Sequence, residues 1–556
     1  MLTKAKRRFW YAAFAGIFSF SNCYVYMLEK EIAWDAWDTA ILVFNVLFLA
    51  AAVFVLMDKF FLRASEFAGN LLRREKGTSL SDRQYFFLTT AVIFLLWLPV
   101  FLAYYPGLFA YDVMYQIPQV LRSYNTHHPL THTLFLQFFY YIIGERVFGS
   151  YNAGVAAASI VQMLLFSMML SFSHLYLRRI GLDKRWRAFL IFVTGVFPVF
   201  PMLAISTTKD TLFAGFFVVL FTLLCYYQTE PETYVRRKDY AFLYILIVVC
   251  NILFRNNGIY PVLILLPVLL LKALKEKFNG RILCYTAIGL AIGLMASSGL
   301  KVRLQAYEGS KNEMLSLPYQ QLACAYSDHK EEMTEGEIAV IHALLPDVED
   351  YTPHSADPVK TSSRGAEDLP SLLSIYITIG SKFPDSYIKG FFQLNAGYLG
   401  LTDVSYGRIY GTDNRQGIFL SDTKEGFGIT HHSLFPGLES LYEKLYTSNA
   451  YEYVPVLRLI NSPALYLWLI GLAALYAIVH KIGRALPMFT FLSVFVLTNL
   501  AAPCVLPRYA LPYIVCVPTA FFCAVRLENQ ALAAELPEKR EEYQEGLLSE
   551  TALGGS

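Results

Sequence analysis

Long runs of apolar residues alternate with short polar segments along this chain. Trp10–Leu28, Thr39–Met57 and Tyr85–Tyr104 are nearly free of charge. The hydrocarbon core of a bilayer is about 30 Å thick, and a helix needs about 20 apolar residues to cross it. Lipid offers no partners to backbone groups, so only helices or a closed barrel can span it. Since these runs lack the alternation of barrel strands, the pattern predicts an all-α polytopic membrane protein.

Charges between the runs orient the predicted helices. Lys4, Lys6, Arg7 and Arg8 precede the first run, which places the N-terminus in the cytoplasm by the positive-inside rule. Threading the chain on this rule gives about twelve spans, with both termini cytoplasmic. The predicted spans are Trp10–Leu28, Thr39–Met57, Tyr85–Tyr104, Tyr151–Leu177, Trp186–Ala204, Thr211–Tyr227, Tyr240–Phe254, Ile259–Leu274, Ile282–Leu300, Pro463–His480, Leu486–Ala502 and Tyr509–Val525.

The apolar stretch Thr131–Phe148 is predicted to lie along the outer interface rather than to span. A span there would move the basic stretch Arg178–Arg187 outside and would place Glu145 and Arg146 in lipid. The predicted domains are residues 1–84, two additional helices and a basic cytoplasmic loop; 85–300, the transmembrane core with its first outer loop 105–150; 301–461, a large and mainly helical extracytoplasmic domain; 462–526, three C-terminal helices; and 527–556, a cytoplasmic tail.

Composition narrows the class of protein further. Hydrophobic residues make up 55% of the chain and charged residues 16%, against roughly a quarter charged in soluble domains, which excludes a soluble protein. The net charge is +2 and no basic stripe interleaves with aromatic residues, so no nucleic-acid partner is expected. The eight cysteines include no CxxC pair, which gives neither a zinc site nor a disulfide framework.

The segment Tyr105–Leu130 carries one acidic residue, Asp112. A lone carboxylate near the interface can act as a general base that takes a proton from an attacking hydroxyl. The alternative is that Asp112 caps a helix beginning at Val113. Taken alone, the residue favours the cap.

Three histidines follow in the same loop. His128 and His132 lie one helical turn apart, with His127 beside them. This spacing could hold a metal ion if Asp112 supplied a third ligand. Histidines at an interface more often hydrogen-bond locally or contact a polar head group, and that interpretation is favoured.

Three basic residues stand at predicted outer turns, namely Lys209 in ISTTKDTLF, Arg255 in FRNNGIY and Arg508 in LPRYALPY. The threading brings all three to the same face as Asp112, at similar depth. A carboxylate facing cations at a lipid boundary suits a lipid-linked phosphate, which lysine and arginine would hold.

Each of these positions also has an ordinary structural explanation. Thr207 and Asp210 would form a capping box at the start of a helix, although this does not explain the lysine. Arg255 with the two asparagines after it would form a solvated turn. Arg508 would reach from the start of the last span to phospholipid head groups. The functional interpretation therefore depends on the joint pattern.

In their order along the chain, these motifs resemble those of the GT-C superfamily of multi-pass glycosyltransferases, which use polyprenyl-phosphate-linked sugars. These enzymes have an acidic residue in the first outer core loop, a His-Pro motif in the protein mannosyltransferase branch, and interfacial helices before the next span. Asp112, the His-Pro pair at His128 and the stretch Thr131–Phe148 look like these elements, and the Arg-Tyr pair at Arg508 is similar to another. The resemblance is closest to a bacterial branch of unassigned function with YD…Q, NHHP-like, TTKD and RNNG elements.

The resemblance implies a GT-C-like core and an inverting sugar transfer at the outer face of the cytoplasmic membrane. Asp112 would deprotonate or orient the acceptor hydroxyl. The residues implied in phosphate and donor binding are Lys209, Arg255, Arg508 and Tyr509, and those implied in substrate binding or support are Tyr111, Gln116, His127, His128, His132, Asp210, Asn256 and Asn257. The partners would be a polyprenyl-phosphate sugar donor, an envelope glycan, lipid or protein acceptor, and membrane lipid. The sequence requires no cofactor, and a role for a divalent metal stays open.

Two other classes of protein stay open. A polytopic transporter or flippase of a lipid-linked or envelope substrate would also have about twelve spans, but transporter sites usually lie near the midplane, often between two related halves. A scaffold protein would leave the grouping of Asp112 with three cations without explanation. Charges gathered at one face and a large domain after the ninth predicted span favour the enzyme.

Overall fold

The computed structural model describes residues 1–30, 35–72, 80–109, 112–275, 280–401, 427–447 and 454–553. The regular secondary structure of these residues is helical, and no β-strand forms among them. Isolated backbone bridges join a few segments that are distant in sequence. The predicted all-α class is therefore confirmed.

The helices are named in chain order. In the first half they are α1 (Lys4–Glu29), α2 (Ala36–Leu71), α3 (Asp82–Ala103), α4 (Val113–Gln116), α5 (Leu130–Gln137), α6 (Tyr151–Arg179), α7 (Lys184–Val196), α8 (Val199–Ala204), α9 (Lys209–Thr229), α10 (Pro231–Tyr234), α11 (Lys238–Phe254), α12 (Ile259–Lys275) and α13 (Gly280–Arg303). In the second half they are α14 (Ser316–His329), α15 (Glu335–Leu344), α16 (Asp357–Thr361), α17 (Leu369–Lys382), α18 (Pro384–Leu394), α19 (Ala396–Leu399), α20 (Pro436–Thr447), α21 (Pro455–Ile460), α22 (Pro463–Val479), α23 (Leu486–Leu500) and α24 (Pro507–Leu553).

Among the described residues, eight helical segments are long and apolar enough to cross a membrane. They are Ala36–Leu71, Asp82–Ala103, Tyr151–Arg179, Lys209–Thr229, Asn256–Lys275, Gly280–Arg303, Gly483–Leu500 and Pro507–Ala534. The chain is thus a multi-pass membrane protein. The remaining predicted spans coincide with α1, α7, α8, α11 and α22, which are not among the eight, so the total of about twelve stays a prediction.

The predicted span Trp186–Ala204 is wrong as a single helix. α7 ends at Val196, the next residue, Phe197, is extended (φ −66°, ψ 120°), and α8 begins after Pro198. A proline disfavours the helical conformation of the residue before it and has no N–H to continue the helical hydrogen bonds. The apolar run is therefore divided into two short helices.

The predicted interfacial stretch is helical and is not one of the eight candidate spans. α5 continues without a break into a π-helix, Phe138–Phe148. This π-helix packs closely on α6, because Gly144 and Gly154 face each other there. A Cβ on Gly154 would lie 2.8 Å from the Cα of Gly144, so the two backbones can approach this closely only without side chains.

α9 is the central helix of the bundle. In its apolar stretch 94% of the residues are buried inside the protein, against 11% in α2. α6, α11, α23 and α24 pack around it, and the rings of Phe217 and Phe491 stack with centroids 4.6 Å apart. The first turn of α9 is therefore held firmly at one end of the bundle, which we call the site end.

A second helical body, Ser316–Leu394, has a hydrophobic core of its own. Tyr319 and Ile379 are fully buried in it. The backbone N–H of Ala356 donates to the carbonyl of Pro503 at 2.8 Å, just before the start of α24. This contact docks the second helical body on the site end.

Candidate functional site

Backbone hydrogen bonds tie the first loop to the segment that precedes α9. The N–H of Leu108 donates to the carbonyl of Ile205, and the N–H of Thr207 donates to the carbonyl of Leu108, both at 2.9 Å. Gly107 permits this approach, because its φ is +120° and a Cβ there would lie 2.1 Å from Ser159 Oγ. The loop is therefore held beside the first turn of α9.

Asp112 is paired with two cations. Lys209 Nζ lies 2.6 Å and Arg508 Nη1 lies 3.0 Å from the same oxygen, Asp112 Oδ2. The side chain of Asp112 is only 7% exposed. Asp112 stands immediately before α4, yet its side chain makes no capping hydrogen bond. The helix-cap interpretation of Asp112 is therefore wrong, and buried ion pairs account for its position.

Asp210 is the second carboxylate of the site. Arg255 Nη1 contacts Asp210 Oδ1, and Arg508 Nε lies 3.6 Å from Asp210 Oδ2. Asp210 is fully buried in the first turn of α9, and the N-cap of that helix is Thr208. The capping box predicted from Thr207 is therefore wrong, because the helix begins one residue later and Asp210 pairs with the arginines.

Arg255 is buried among aromatic rings rather than solvated. Its Nε donates to Asn257 Oδ1 at 2.7 Å, and its guanidinium lies 4.9 Å from the ring centroid of Tyr509 and 5.4 Å from that of Phe213. The guanidinium of Arg508 lies 5.2 Å from the same Tyr509 ring. Both arginine side chains are at most 8% exposed. The solvated-turn and head-group interpretations are therefore wrong.

His128 and His132 approach the cluster from the first loop. Lys209 Nζ lies 3.3 Å from His128 Nδ1. An ammonium group can only donate, so we infer that Nδ1 of His128 accepts this bond and that Nε2 carries the ring proton. Gln116 Nε2 lies 3.2 Å from His132 Nδ1 and donates to Thr133 Oγ1 at 3.0 Å. A neighbouring donor thus holds each ring.

Asn256 fixes the turn that precedes His128. Its Nδ2 donates to the carbonyl oxygens of Thr126 at 3.0 Å and His127 at 3.2 Å. His127 itself is exposed, and its ring lies 4.6 Å from the ring of His128. Asn256 therefore supports the loop through its backbone. Tyr111, the remaining predicted site residue, lies outside the described residues.

Burial and charge shift the pKa values of the loop residues. Burial alone would raise the pKa of Asp112, but Arg508 and Lys209 outweigh it and hold this pKa well below its ordinary value. Burial and the nearby Lys209 lower the pKa of His128 to about 2 and that of His132 to about 3. Both histidines are therefore neutral at pH 7. Two carboxylates and three cations remain, so the cluster has a net charge of +1.

The donor atoms that a metal would need are not gathered at the site. In the part of the chain that the structure describes, no group of three His, Cys, Asp or Glu side chains could hold a metal ion. Lys209 and Gln116 already contact the Nδ1 atoms of the two histidines. The alternative in which His128, His132 and Asp112 bind a metal together therefore has no assembled set of ligands.

Gln137 supports the site although it belongs to none of the sequence motifs. Its Nε2 donates to the carbonyl oxygens of Gln116 at 3.1 Å and Ile117 at 3.2 Å, and its Oε1 accepts from the Tyr124 hydroxyl at 2.9 Å. Gln137 thus links the loop that carries Gln116 to the interfacial helix. A glutamine within an apolar interfacial stretch is the signal that could have revealed it, because a buried amide needs hydrogen-bond partners.

Comparison with protein families gives a match that covers most of the chain. A model described as a family of unknown function (DUF6020) matches residues 115–538. The matched range includes Lys209, Arg255 and Arg508 and begins just after Asp112. No curated protein and no solved structure matches this chain.

Proposed function

The chain belongs to the DUF6020 family, and we propose that it is a membrane glycosyltransferase of the GT-C type. It transfers a sugar from a polyprenyl-phosphate donor to a glycan, lipid or protein acceptor of the cell envelope, at the outer face of the cytoplasmic membrane. The observation that carries this proposal is the buried pairing of Asp112 with Lys209 and Arg508 at one end of an apolar helix bundle.

The three cations, Lys209, Arg255 and Arg508, bind the phosphate of the donor. The cluster has a net charge of +1 with neutral histidines, and a sugar phosphodiester brings one negative charge, so donor binding neutralises it. Arginine can contact two phosphate oxygens at once. Fixed cations in a site that excludes water also stabilise the charge that grows on the leaving phosphate.

Asp112 acts as the general base. Its carboxylate takes the proton of the acceptor hydroxyl while the oxygen of that hydroxyl bonds to the anomeric carbon of the sugar. The bond between this carbon and the phosphate oxygen breaks, and its electron pair stays on the phosphate. Attack from the face opposite the phosphate inverts the anomeric configuration. The proton passes from Asp112 to water after the product leaves.

Donor binding strengthens this base. Without a donor, Arg508 and Lys209 hold the pKa of Asp112 well below its ordinary value despite burial, which makes the carboxylate a weak proton acceptor. A bound phosphate draws the same two cations toward its own oxygens. The proton affinity of Asp112 then rises because its charge is less fully compensated.

A transporter or flippase is the second candidate, and one observation favours it. The break between α7 and α8 at Phe197 leaves a discontinuous helix shortly before Lys209 in sequence. Discontinuous helices form the substrate and ion sites of many transporters. This alternative predicts that a lipid-linked substrate crosses the bilayer without any change in its covalent structure.

The test compares full-length wild-type protein with Asp112→Asn, both purified in detergent. We would measure transfer of radiolabelled sugar from a panel of polyprenyl-phosphate sugars to cell-envelope acceptors. Removal of a general base slows such a reaction by about 10²–10⁴-fold. Asp328→Asn is a matched control that should keep the wild-type rate, because it removes a carboxylate paired with Lys389 in the second helical body.

Unfolding temperatures are measured alongside, because asparagine leaves two buried cations with less compensation. Equal transfer by folded wild type and Asp112→Asn would remove Asp112 from the mechanism. A labelled polyprenyl-phosphate sugar that crosses the membrane of proteoliposomes without any transfer product would favour the flippase.

A further inference from the structure

We propose that Arg508 is a built-in cation that bridges the two carboxylates of the site, so that transfer needs no divalent metal. Its Nη1 lies 3.0 Å from Asp112 Oδ2, and its Nε lies 3.6 Å from Asp210 Oδ2. One guanidinium therefore joins a carboxylate of the first loop to a carboxylate of α9. Mg²⁺ in phosphate-handling sites is typically held by one or two carboxylates and the phosphate, and Arg508 occupies the corresponding position here.

The other charges around this position also disfavour a metal ion. Lys209 contacts Asp112, and Arg255 contacts Asp210, so each carboxylate has a second cation besides Arg508. A divalent ion between the carboxylates would lie close to three positive groups in a buried environment, where repulsion between like charges is strong.

Few nitrogen ligands remain to offset this repulsion. Lys209 Nζ lies against His128 Nδ1, and Gln116 Nε2 lies against His132 Nδ1. His132 Nε2 is buried and has no hydrogen-bond partner among the described residues. A metal site needs about three protein ligands, and among the residues that the structure describes no three His, Cys, Asp or Glu side chains are grouped so that they could hold one.

A guanidinium suits the bridging role and still leaves donors for the substrate. It is planar and permanently charged, and it carries five N–H groups. The contacts with Asp112 and Asp210 use Nη1 and Nε, and the guanidinium has further N–H groups on Nη2 from which a phosphate oxygen could accept. The ring of Tyr509 and the 6% exposure of the side chain fix the plane of the group.

The claim that transfer needs no metal rests on the proposed function. The claim that Arg508 bridges Asp112 and Asp210 does not depend on it. Binding of Mn²⁺ alone to the full-length purified protein therefore tests the second point separately. Wild type should show no saturable Mn²⁺ site by electron paramagnetic resonance. Folded Arg508→Ala should gain a saturable Mn²⁺ site, at least about tenfold tighter than the weak non-saturating binding of wild type, since two carboxylates lose their shared cation. Arg508→Ala combined with Asp112→Asn should lose this gain.

Two results would overturn the bridging role. One is saturable Mn²⁺ binding by wild type that Asp112→Asn abolishes, which can be measured even if Arg508→Ala does not fold. The other is an Arg508→Ala protein that retains the wild-type unfolding temperature and gains no Mn²⁺ binding.

Transfer assays test the catalytic consequence. Excess EDTA should change the initial rate of wild type by less than about twofold, and guanidinium chloride at a non-denaturing concentration should partly restore Arg508→Ala. Methylammonium should not restore Arg508→Ala, although it should restore Lys209→Ala in part. Transfer that EDTA abolishes and Mg²⁺ or Mn²⁺ restores would overturn metal-independence. If no donor supports transfer with or without EDTA, the proposed function fails, and Mn²⁺ binding still decides whether Arg508 bridges the carboxylates.

Discussion

At the scale of single residues, burial decides between two roles for Asp112 and Arg508. Both side chains are at most 7% exposed and are paired with each other, so neither serves mainly as a helix cap or as a contact to lipid head groups. In the sequence, Asp112 could cap a helix and Arg508 could reach head groups, because both lie next to apolar runs. Charged residues next to apolar runs are conspicuous, so the sequence was sufficient to predict which residues form the cluster. Their pairing was not predictable, since Asp112 and Arg508 are 396 positions apart and only the packing of the helices brings them into contact.

The two buried histidines should make the protein less stable in acid. Their pKa values, about 2 for His128 and about 3 for His132, are lowered by burial and lie below that of an unfolded histidine. Between these values and about 6.5 the unfolded chain therefore binds more protons than the folded one. The free energy of unfolding should fall by about 2 kcal/mol per histidine from about pH 7 to about pH 5.

The measurement is the unfolding of detergent-solubilised wild type, His128→Gln and His132→Gln across this pH range. Each glutamine removes one titrating group. The free energy of unfolding of each variant should therefore fall by about 2 kcal/mol less than that of wild type between about pH 7 and about pH 5. Asp112 adds nothing here, because its folded pKa is lowered and its contribution is lost only as the pH falls through that lower value. Three parallel profiles would contradict the prediction.

The ring of Tyr509 should contribute to phosphate binding by holding two guanidinium groups. Those of Arg255 and Arg508 lie 4.9 and 5.2 Å from its centroid. Tyr509→Phe keeps the aromatic face and should resemble wild type. Tyr509→Leu removes it and should raise the KM for the donor by about 2- to 30-fold. The measurement is the KM for the donor in both variants. Equal KM values would show that the aromatic face of Tyr509 does not contribute to phosphate binding.

At the scale of elements, the apolar runs predicted where helices lie but not how they end or bend. The break before Pro198 follows from a local proline rule that the apolar run around it concealed. The π-helix Phe138–Phe148 could not be predicted either, because it depends on the register of backbone hydrogen bonds. Hydrophobic periodicity reports which side chains are apolar and says little about that register.

The loop that carries Asp112 should depend on Gly107. An alanine Cβ there would meet Ser159 Oγ at 2.1 Å and the carbonyl oxygen of Ile205 at 3.0 Å, which would push the loop away from α9. We expect Gly107→Ala to destabilise the protein by about 1–3 kcal/mol and to lower transfer by at least about tenfold, since a small displacement of reacting groups is costly.

Gly149→Ala is the matched control for this substitution. Gly149 also has a positive φ, +61°, but no heavy atom lies within 4 Å of its added Cβ, so this variant has backbone strain without a clash. Unfolding temperature and transfer are measured for both variants. If they lose stability and transfer equally, backbone strain accounts for the effect and the contact with Ser159 does not.

At the scale of the whole molecule, run length and composition were sufficient to predict a helical membrane protein with a large polar segment between its helices. The docking of the second helical body, and of the segment that leads into it from α13, on the site end could not be predicted, because it depends on a few backbone contacts between distant segments. One is a hydrogen bond of 3.0 Å from the N–H of Thr126 to the carbonyl of Tyr307. A second contact brings Gly309 close to the first loop: a Cβ added to Gly309 would lie only 2.7 Å from the Cα of His127.

A disulfide can test whether this docked arrangement exists in solution. Ser355 and Cys504 oppose each other in an antiparallel backbone bridge. Opposed residues in such a pair have Cα atoms about 4.5–5.5 Å apart, which is within the range of disulfides. Ser355→Cys should therefore bond to Cys504 on mild oxidation. The product should be detectable as one cross-linked peptide by mass spectrometry.

The oxidised Ser355→Cys protein should also unfold at a higher temperature than its reduced form, by an amount equivalent to about 2–4 kcal/mol, because the bond restricts the unfolded chain. Ser355→Ala should respond to neither oxidant nor reductant at this position. If the two thiols stay unpaired, the second helical body is not docked as described. Since Cys504 stands shortly before Arg508 in sequence, a bond formed there would show that this body contacts the segment leading directly into the charged cluster.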